Sequence, residues 1–189
     1  MESKPNKLKE SIWDRFATGL WRLTTGERRQ RMIWTPIAAI IFFSLLTGFV
    51  LLALWLDKVT GLPRFSALWS LVIAIILFIV GLSVVAWTLS QFFRNQGTPV
   101  PVSPPQKLVT TGLYSYVRNP MALGLFLILE GIGFLLGSFF LVFIFAPLPV
   151  ILYGFFIKAV EEKELEMRFG EEYRLYKKRV PMFFPRIIK

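Results

Sequence analysis

Two runs of 23 residues without a charged side chain, Trp34 to Leu56 and Ala67 to Leu89, dominate the first half of the chain. Trp34 and Trp55 stand 21 positions apart. That is about 31 Å along a helix at ~1.5 Å per residue, which matches a hydrocarbon core of about 30 Å with an aromatic ring at each interface. Trp69 and Trp87 mark the second run in the same way. Both runs predict transmembrane helices. A third apolar region, Met121 to Ile157, has 37 residues, too long for one span and long enough for two joined tightly. Gly137-Ser138 is its best break and predicts helices over 121–137 and 138–157 that form a hairpin. Gly133 and Gly137 have small-xxx-small spacing, and Gly124 and Gly131 also permit close helix approach. Pro147 and Pro149 lack donor N–H groups and should kink or interrupt the fourth helix. Such a break persists in a membrane only where protein or a wet cavity satisfies the freed carbonyls.

Outside the spans the period changes from a continuous apolar run to a stripe. Leu8, Ile12, Phe16 and Leu20 recur every four residues, with Trp13 and Leu23 adjoining and Lys9, Arg15 and Arg22 among them, which predicts an amphipathic helix lying in the interface. After the last span, Leu165, Phe169, Tyr173, Tyr176 and Val180 form a helical stripe. Glu161, Glu162 and Glu164 stand near the start of that helix and Lys177, Lys178 and Arg179 near its end, the order the helix dipole favours. Gly170 is its weak point. The predicted fold class is all-α: a polytopic integral membrane protein with about four transmembrane helices, an N-terminal interfacial helix and a C-terminal cytoplasmic helix. It divides into a cytoplasmic amphipathic segment (1–33), a first pair of spans (34–89) and a region 90–189 made of a loop, the hairpin 121–157 and the C-terminal helix.

Composition supports this reading. Of 189 residues, 54% are hydrophobic and 18% charged, more apolar surface than a soluble domain of this size can hide. Disorder, collagen-like repeats and coiled coils are excluded by the same figures. The net charge of +10 first points to an anionic partner, but its distribution points to topology. With the amino terminus cytoplasmic, residues 1–33, 90–118 and 158–189 hold 20 of the 22 Lys and Arg. That is the positive-inside bias, and it puts both termini and the central loop on the cytoplasmic side. No nucleic-acid partner is expected. The segment before the first span is too charged for a signal peptide, so that span is expected in the mature protein. Small size and the lack of sorting signals fit a bacterial inner membrane, and a protein of the endoplasmic reticulum would look similar. Cysteine and histidine are both absent, which removes thiolate chemistry, the usual general base and the commonest metal ligand. No metal site is expected.

The informative stretch is the central loop, Gly97 to Pro120. Its first half carries Pro99, Pro101, Pro104 and Pro105 and is expected to be extended and stiff. It runs into Gln106–Pro120, where apolar and polar residues mix, the texture of a segment packed over the membrane face. Arg118 stands at the mouth of the third span. Arg118 and Glu162 are the candidate catalytic residues, although a topology anchor and a dipole complement are the ordinary roles of such groups. Glu130 lies mid-span, where a carboxylate must be neutral, paired or facing a wet cavity. Lys158, Arg118 or a tyrosine hydroxyl are its possible partners.

The motif K-L-V-x-x-G-x-Y-x-x-x-R-x-P at Lys107 to Pro120 is followed by E-E-x-x-L at Glu161 to Leu165. F-G-E-E-Y-x-x-Y at Phe169 to Tyr176 and V-P at Val180-Pro181 complete the series. In order and spacing across a helical hairpin, these resemble the isoprenylcysteine carboxyl methyltransferase family and its bacterial relatives, which extend toward phospholipid N-methyltransferases. The resemblance covers residues 97–186. It implies S-adenosylmethionine as cofactor, bound on the cytoplasmic side between the loop, the hairpin and the C-terminal helix. Gln106, Lys107, Leu108, Val109 and Tyr114 would line the cofactor, and Asn119, Pro120, Met121 and Ala122 would continue that wall. Glu161 would contact the cofactor's polar end. The family often has His at Asn119 and Tyr at Ala122. An Arg that eukaryotic members place on the substrate side falls on Ile157, with Lys158 the nearest substitute.

Methyl transfer suits this composition. The activated methyl group belongs to the cofactor, and the protein must mainly position two reactants and exclude water. An acceptor carboxylate, with a pKa of about 3.5, is already ionised and needs no base, whereas an amine acceptor must lose a proton. This favours O-methylation of a lipidic or prenylated acceptor entering from the bilayer. An NADPH-dependent membrane reductase of related helical fold and a non-catalytic relative are the alternatives.

Overall fold

The computed structural model describes residues 11–25, 28–65, 67–94 and 107–184. Among them every regular element is helical: α1 (Ile12–Thr25), α2 (Arg28–Thr60), α3 (Leu68–Arg94), α4 (Pro120–Leu136), α5 (Pro147–Phe156), α6 (Glu162–Phe169) and α7 (Glu171–Arg179). Three stretches are long and apolar enough to cross a membrane, Pro36–Thr60, Leu68–Arg94 and Leu141–Phe169, of 25, 27 and 29 residues. α4 is apolar but only 17 residues long, so the third expected span is the short member of the bundle. The proline-rich half of the central loop lies outside the described residues.

The hairpin turns where the sequence breaks. Gly137 adopts φ +62°, a left-handed conformation that glycine takes without a Cβ penalty, and it closes α4. A side chain there would also run into the Phe65 carbonyl, whose own N–H donates to the Gly137 carbonyl at 3.2 Å. Ser138 then caps the next helix, its Oγ accepting from the Leu141 N–H at 3.1 Å. Buried Asp57 at the end of α2 accepts from the Ser138 hydroxyl and, at 3.0 Å, from the Phe140 N–H. One carboxylate thus ties α2 to the tip of the hairpin and satisfies helix-start donors that lipid would leave unpaired.

Glycines set the packing of α3 on α4. A Cβ on Gly81 would lie 2.8 Å from the Gly124 carbonyl, and one on Gly124 would lie 2.9 Å from Val85 Cγ2. Gly131 packs over Phe78 and the Ala74 carbonyl, and Gly133 packs on Val142 across the hairpin. The small-residue spacing is therefore used on two faces of α4 at once. Two π-helical turns, Leu141–Phe145 and Ile157–Glu161, flank α5. The first stands directly before Pro147, whose missing N–H and ring disturb the i→i−4 ladder there. At Gly170, with φ +56°, the C-terminal stripe breaks into α6 and α7 instead of forming one helix. Its residues still share a face: Tyr173, Tyr176 and Val180 are buried together against Leu108, Leu165 and Phe169.

Candidate functional site

The site assembles where the mouth of α4 meets the C-terminal segment. The 3-10 turn Gly112–Ser115 folds the loop back, and the Arg118 and Asn119 N–H groups donate to the Pro181 and Met182 carbonyls at 2.8 and 3.1 Å. These two bonds pin the tail after α7 across the loop. The Tyr176 hydroxyl donates to the Tyr114 carbonyl at 2.7 Å, so the same helix holds the loop a second time. Asn119 takes the N-cap position of α4 without a side-chain capping bond, and Pro120 opens the helix, where a missing N–H costs nothing.

Arg118 is the charged centre of this assembly. Its Nη1 lies 2.6 Å from Glu162 Oε1 and donates to the Tyr173 hydroxyl at 3.1 Å. Both members of the ion pair are deeply covered, the side chains being 10% and 9% exposed. Lys177 reaches Glu162 Oε2 at 3.2 Å and Glu166 at 2.5 Å. Burial alone would lower the Arg118 pKa, but the charge of Glu162, then Tyr173, holds it above its ordinary value. For Tyr173 burial wins: its hydroxyl titrates above the usual phenol range even though Arg118 pulls the other way. The Nε of Arg118 is buried and donates to no acceptor among the described residues. A covered N–H of a charged group without a partner is uncommon.

Glu161 points elsewhere. It ends the π-helical turn Ile157–Glu161, and its Oε2 accepts from the Tyr153 hydroxyl at 3.2 Å, while its neighbour Glu162 faces Arg118. The wider turn is a local change of helical period at the point where two adjacent carboxylates must serve different partners. Tyr153 stacks on Phe156 with ring centroids 6.0 Å apart and meets Phe126 edge-on, and Phe126 in turn meets Phe183 of the tail. An aromatic wall thus stands beside Glu161. Tyr114, buried with its ring 5.8 Å from Phe92, is titrated upward by burial first, then by the charges of Tyr176 and Glu161.

Leu108 packs in the C-terminal cluster, Val109 is buried, and Met121 and Ala122 are half-buried in the first turn of α4. Lys107 is exposed, and Gln106 lies outside the described residues. Lys158 is exposed while Ile157 beside it is buried. Glu130 receives neither cation nor hydroxyl: its Oε2 is buried without a hydrogen-bond partner among the described residues, and Arg118 is committed to Glu162. Tyr153 and the pairing of Arg118 with Tyr173 were not anticipated. Tyr173 was visible in the F-G-E-E-Y motif, but Tyr153 carries no signal beyond lying eight residues before Glu161.

A family model described as phospholipid methyltransferase matches residues 69–172, more than half of the chain. The chain is also 39% identical over 82 residues to the protein-S-isoprenylcysteine O-methyltransferase of Schizosaccharomyces pombe, a stretch covering 42% of this chain and 34% of that protein. It thus matches about a third of the length of that curated relative. No solved structure matches the chain. The family match begins in α3 and ends in α7, and so takes in the loop, Arg118, Glu161 and Glu162. The chain belongs to the phospholipid methyltransferase family.

Proposed function

We propose that the protein is an S-adenosylmethionine-dependent membrane methyltransferase acting on a lipidic or prenylated carboxylate. The observation that carries this reading is the convergence of the loop, the π turn before α6 and the C-terminal tail around Arg118. The unpartnered, buried Nε of Arg118 fits a site that takes an anionic group, and cofactor and acceptor each bring a carboxylate. The residues present therefore suit the cofactor: an anion-seeking donor, a carboxylate beside an aromatic wall, and a buried tyrosine on the loop.

When bound, S-adenosylmethionine supplies a methyl group on a sulfonium that leaves by in-line displacement. The chain's own part is to hold the reactants and keep out water. Leu108, Val109, Tyr114 and the first turn Asn119–Ala122 form the cofactor wall, and Gln106 and Lys107, the two residues before Leu108 in the sequence, are assigned to the same ligand. Glu161 takes the cofactor's polar end. Arg118 orients an incoming carboxylate through Nε, and Glu162 positions Arg118. A terminal carboxylate, with a pKa of about 3.5, needs no base, in keeping with a chain that has no histidine. Region 90–189 carries this chemistry on the cytoplasmic face of a bacterial inner membrane, with both termini on that side.

The test is transfer of labelled methyl from S-adenosylmethionine in nanodiscs offered either a farnesylated cysteine derivative or phosphatidylethanolamine. Label in an alkali-labile ester of the first is expected. Alkali-stable label on the amine of the second would replace the carboxylate by an amine, and transfer to neither would overturn the reading.

A further inference from the structure

α1 is turned the wrong way for a helix of a water-soluble protein. The flank it buries in the protein is small and polar: Ala17 and Thr24 are covered, the Thr24 hydroxyl donates to buried Glu164 at 2.7 Å, and Asp14 pairs with Lys163 at 2.5 Å. Its large apolar residues are left outside. Ile12 is 64% exposed and Phe16 58%, with Trp13 and Leu23 also exposed. At about 100° per residue, Arg15 and Arg22 fall on the flank opposite Ala17 and Thr24, and the apolar edge lies between these two flanks. Both arginines are exposed, and the single acidic residue of α1, Asp14, is engaged by Lys163. The outward surface is therefore apolar and purely cationic. Such a surface complements an anionic bilayer: apolar edge in the acyl boundary, arginines at the headgroups.

The place where α1 rests gives this arrangement a consequence. It packs across the π turn Ile157–Glu161 and α6, the segment that carries Glu161 and Glu162. Glu164, which receives the Thr24 hydroxyl, also pairs with Arg168 one turn on at 3.5 Å. α1 thus touches both helical segments that present the two carboxylates to opposite partners.

We propose that α1 is a docking surface for an anionic lipid bilayer and that this docking braces the π turn and α6. The docking is independent of the proposed chemistry, whereas any effect on activity rests on that reading. Anionic lipid holds α1 down, α1 holds Glu164 and Lys163, and the turn bearing Glu161 stays formed.

Amide hydrogen exchange in nanodiscs carrying one copy of the full chain tests this without any turnover. In discs with phosphatidylglycerol, exchange over 12–25 and over 157–169 is expected to be about tenfold slower than in phosphatidylcholine discs. The difference should shrink in 0.5 M salt. An Arg15→Glu/Arg22→Glu variant should lose the lipid difference in both segments while α3 and α4 exchange as in the parent. Equal exchange in the two lipids, or a lipid effect that survives in the variant, would overturn the docking. Protection of 12–25 with no change over 157–169 would overturn the bracing. Slowing that appears only in discs loaded with two copies, whatever the lipid charge, would assign the apolar edge to a second copy and also overturn the proposal.

Discussion

The two halves of the Arg118–Glu162 pair are not equivalent, and the difference is measurable. Their atoms stand 2.6 Å apart with both side chains about nine-tenths covered, so removing one partner strands the other in a poorly hydrated place at a cost of about 3–5 kcal/mol. Deleting Arg118 leaves Glu162 with Lys177 at 3.2 Å. Among the described residues, deleting Glu162 leaves Arg118 with only the Tyr173 hydroxyl at 3.1 Å and an Nε that already lacks an acceptor. Arg118→Met should therefore cost about 3 kcal/mol and Glu162→Leu about 5 kcal/mol. The double variant removes both charges and should cost less than Glu162→Leu alone, a coupling of about 3 kcal/mol or more. Thermal unfolding in detergent followed by tryptophan fluorescence reads this directly, since ~1 kcal/mol shifts Tm by about 2–4 °C at this chain length. Simple additivity of the two losses, or a larger loss for Arg118→Met, would refute the reasoning.

Gly124→Ala puts a methyl 2.9 Å from Val85 Cγ2 and 3.0 Å from the Gly81 carbonyl, so it should cost about 1–3 kcal/mol by overpacking. Gly48→Ala meets nothing within 4 Å and should be neutral in the same unfolding assay; equal effects would argue against the α3–α4 contact. Tyr153→Phe keeps the stack on Phe156 and loses the hydrogen bond to Glu161. A bond to a carboxylate is worth about 1.5–3 kcal/mol, so Tm should fall by about 3–12 °C, and S-adenosylmethionine should bind more weakly because Glu161 loses the hydroxyl that aims it. An unchanged Kd would remove Tyr153 from the site.

The spans were legible because a bilayer demands continuous apolar runs, and Trp34 to Leu56 or Ala67 to Leu89 leaves no other use for such a run. The turn at Gly137 was legible too, since a glycine followed by a capping serine is a local signal. The length of α4 was legible with it, since that break predicts a helix over 121–137 and α4 runs Pro120–Leu136. The stripe of α1 could be seen, but not that its polar flank faces protein: Thr24 meets Glu164 across 140 positions. At the site the residue types were legible and their pairing was not. Arg118 reaches Glu162 over 44 positions, and the π turn that parts Glu161 from Glu162 has no sequence signature. Long-range pairing follows from how the hairpin and tail fold over the loop, and no periodicity encodes it.

Equilibrium binding of S-adenosylmethionine to the full chain in nanodiscs tests the central claim most directly. The account predicts saturable binding with Kd in the micromolar range, about −8 kcal/mol, weakened at least tenfold by Glu161→Ala and by Tyr114→Ala in folded protein. Absence of saturable binding to a folded preparation, or binding indifferent to both substitutions, would contradict it.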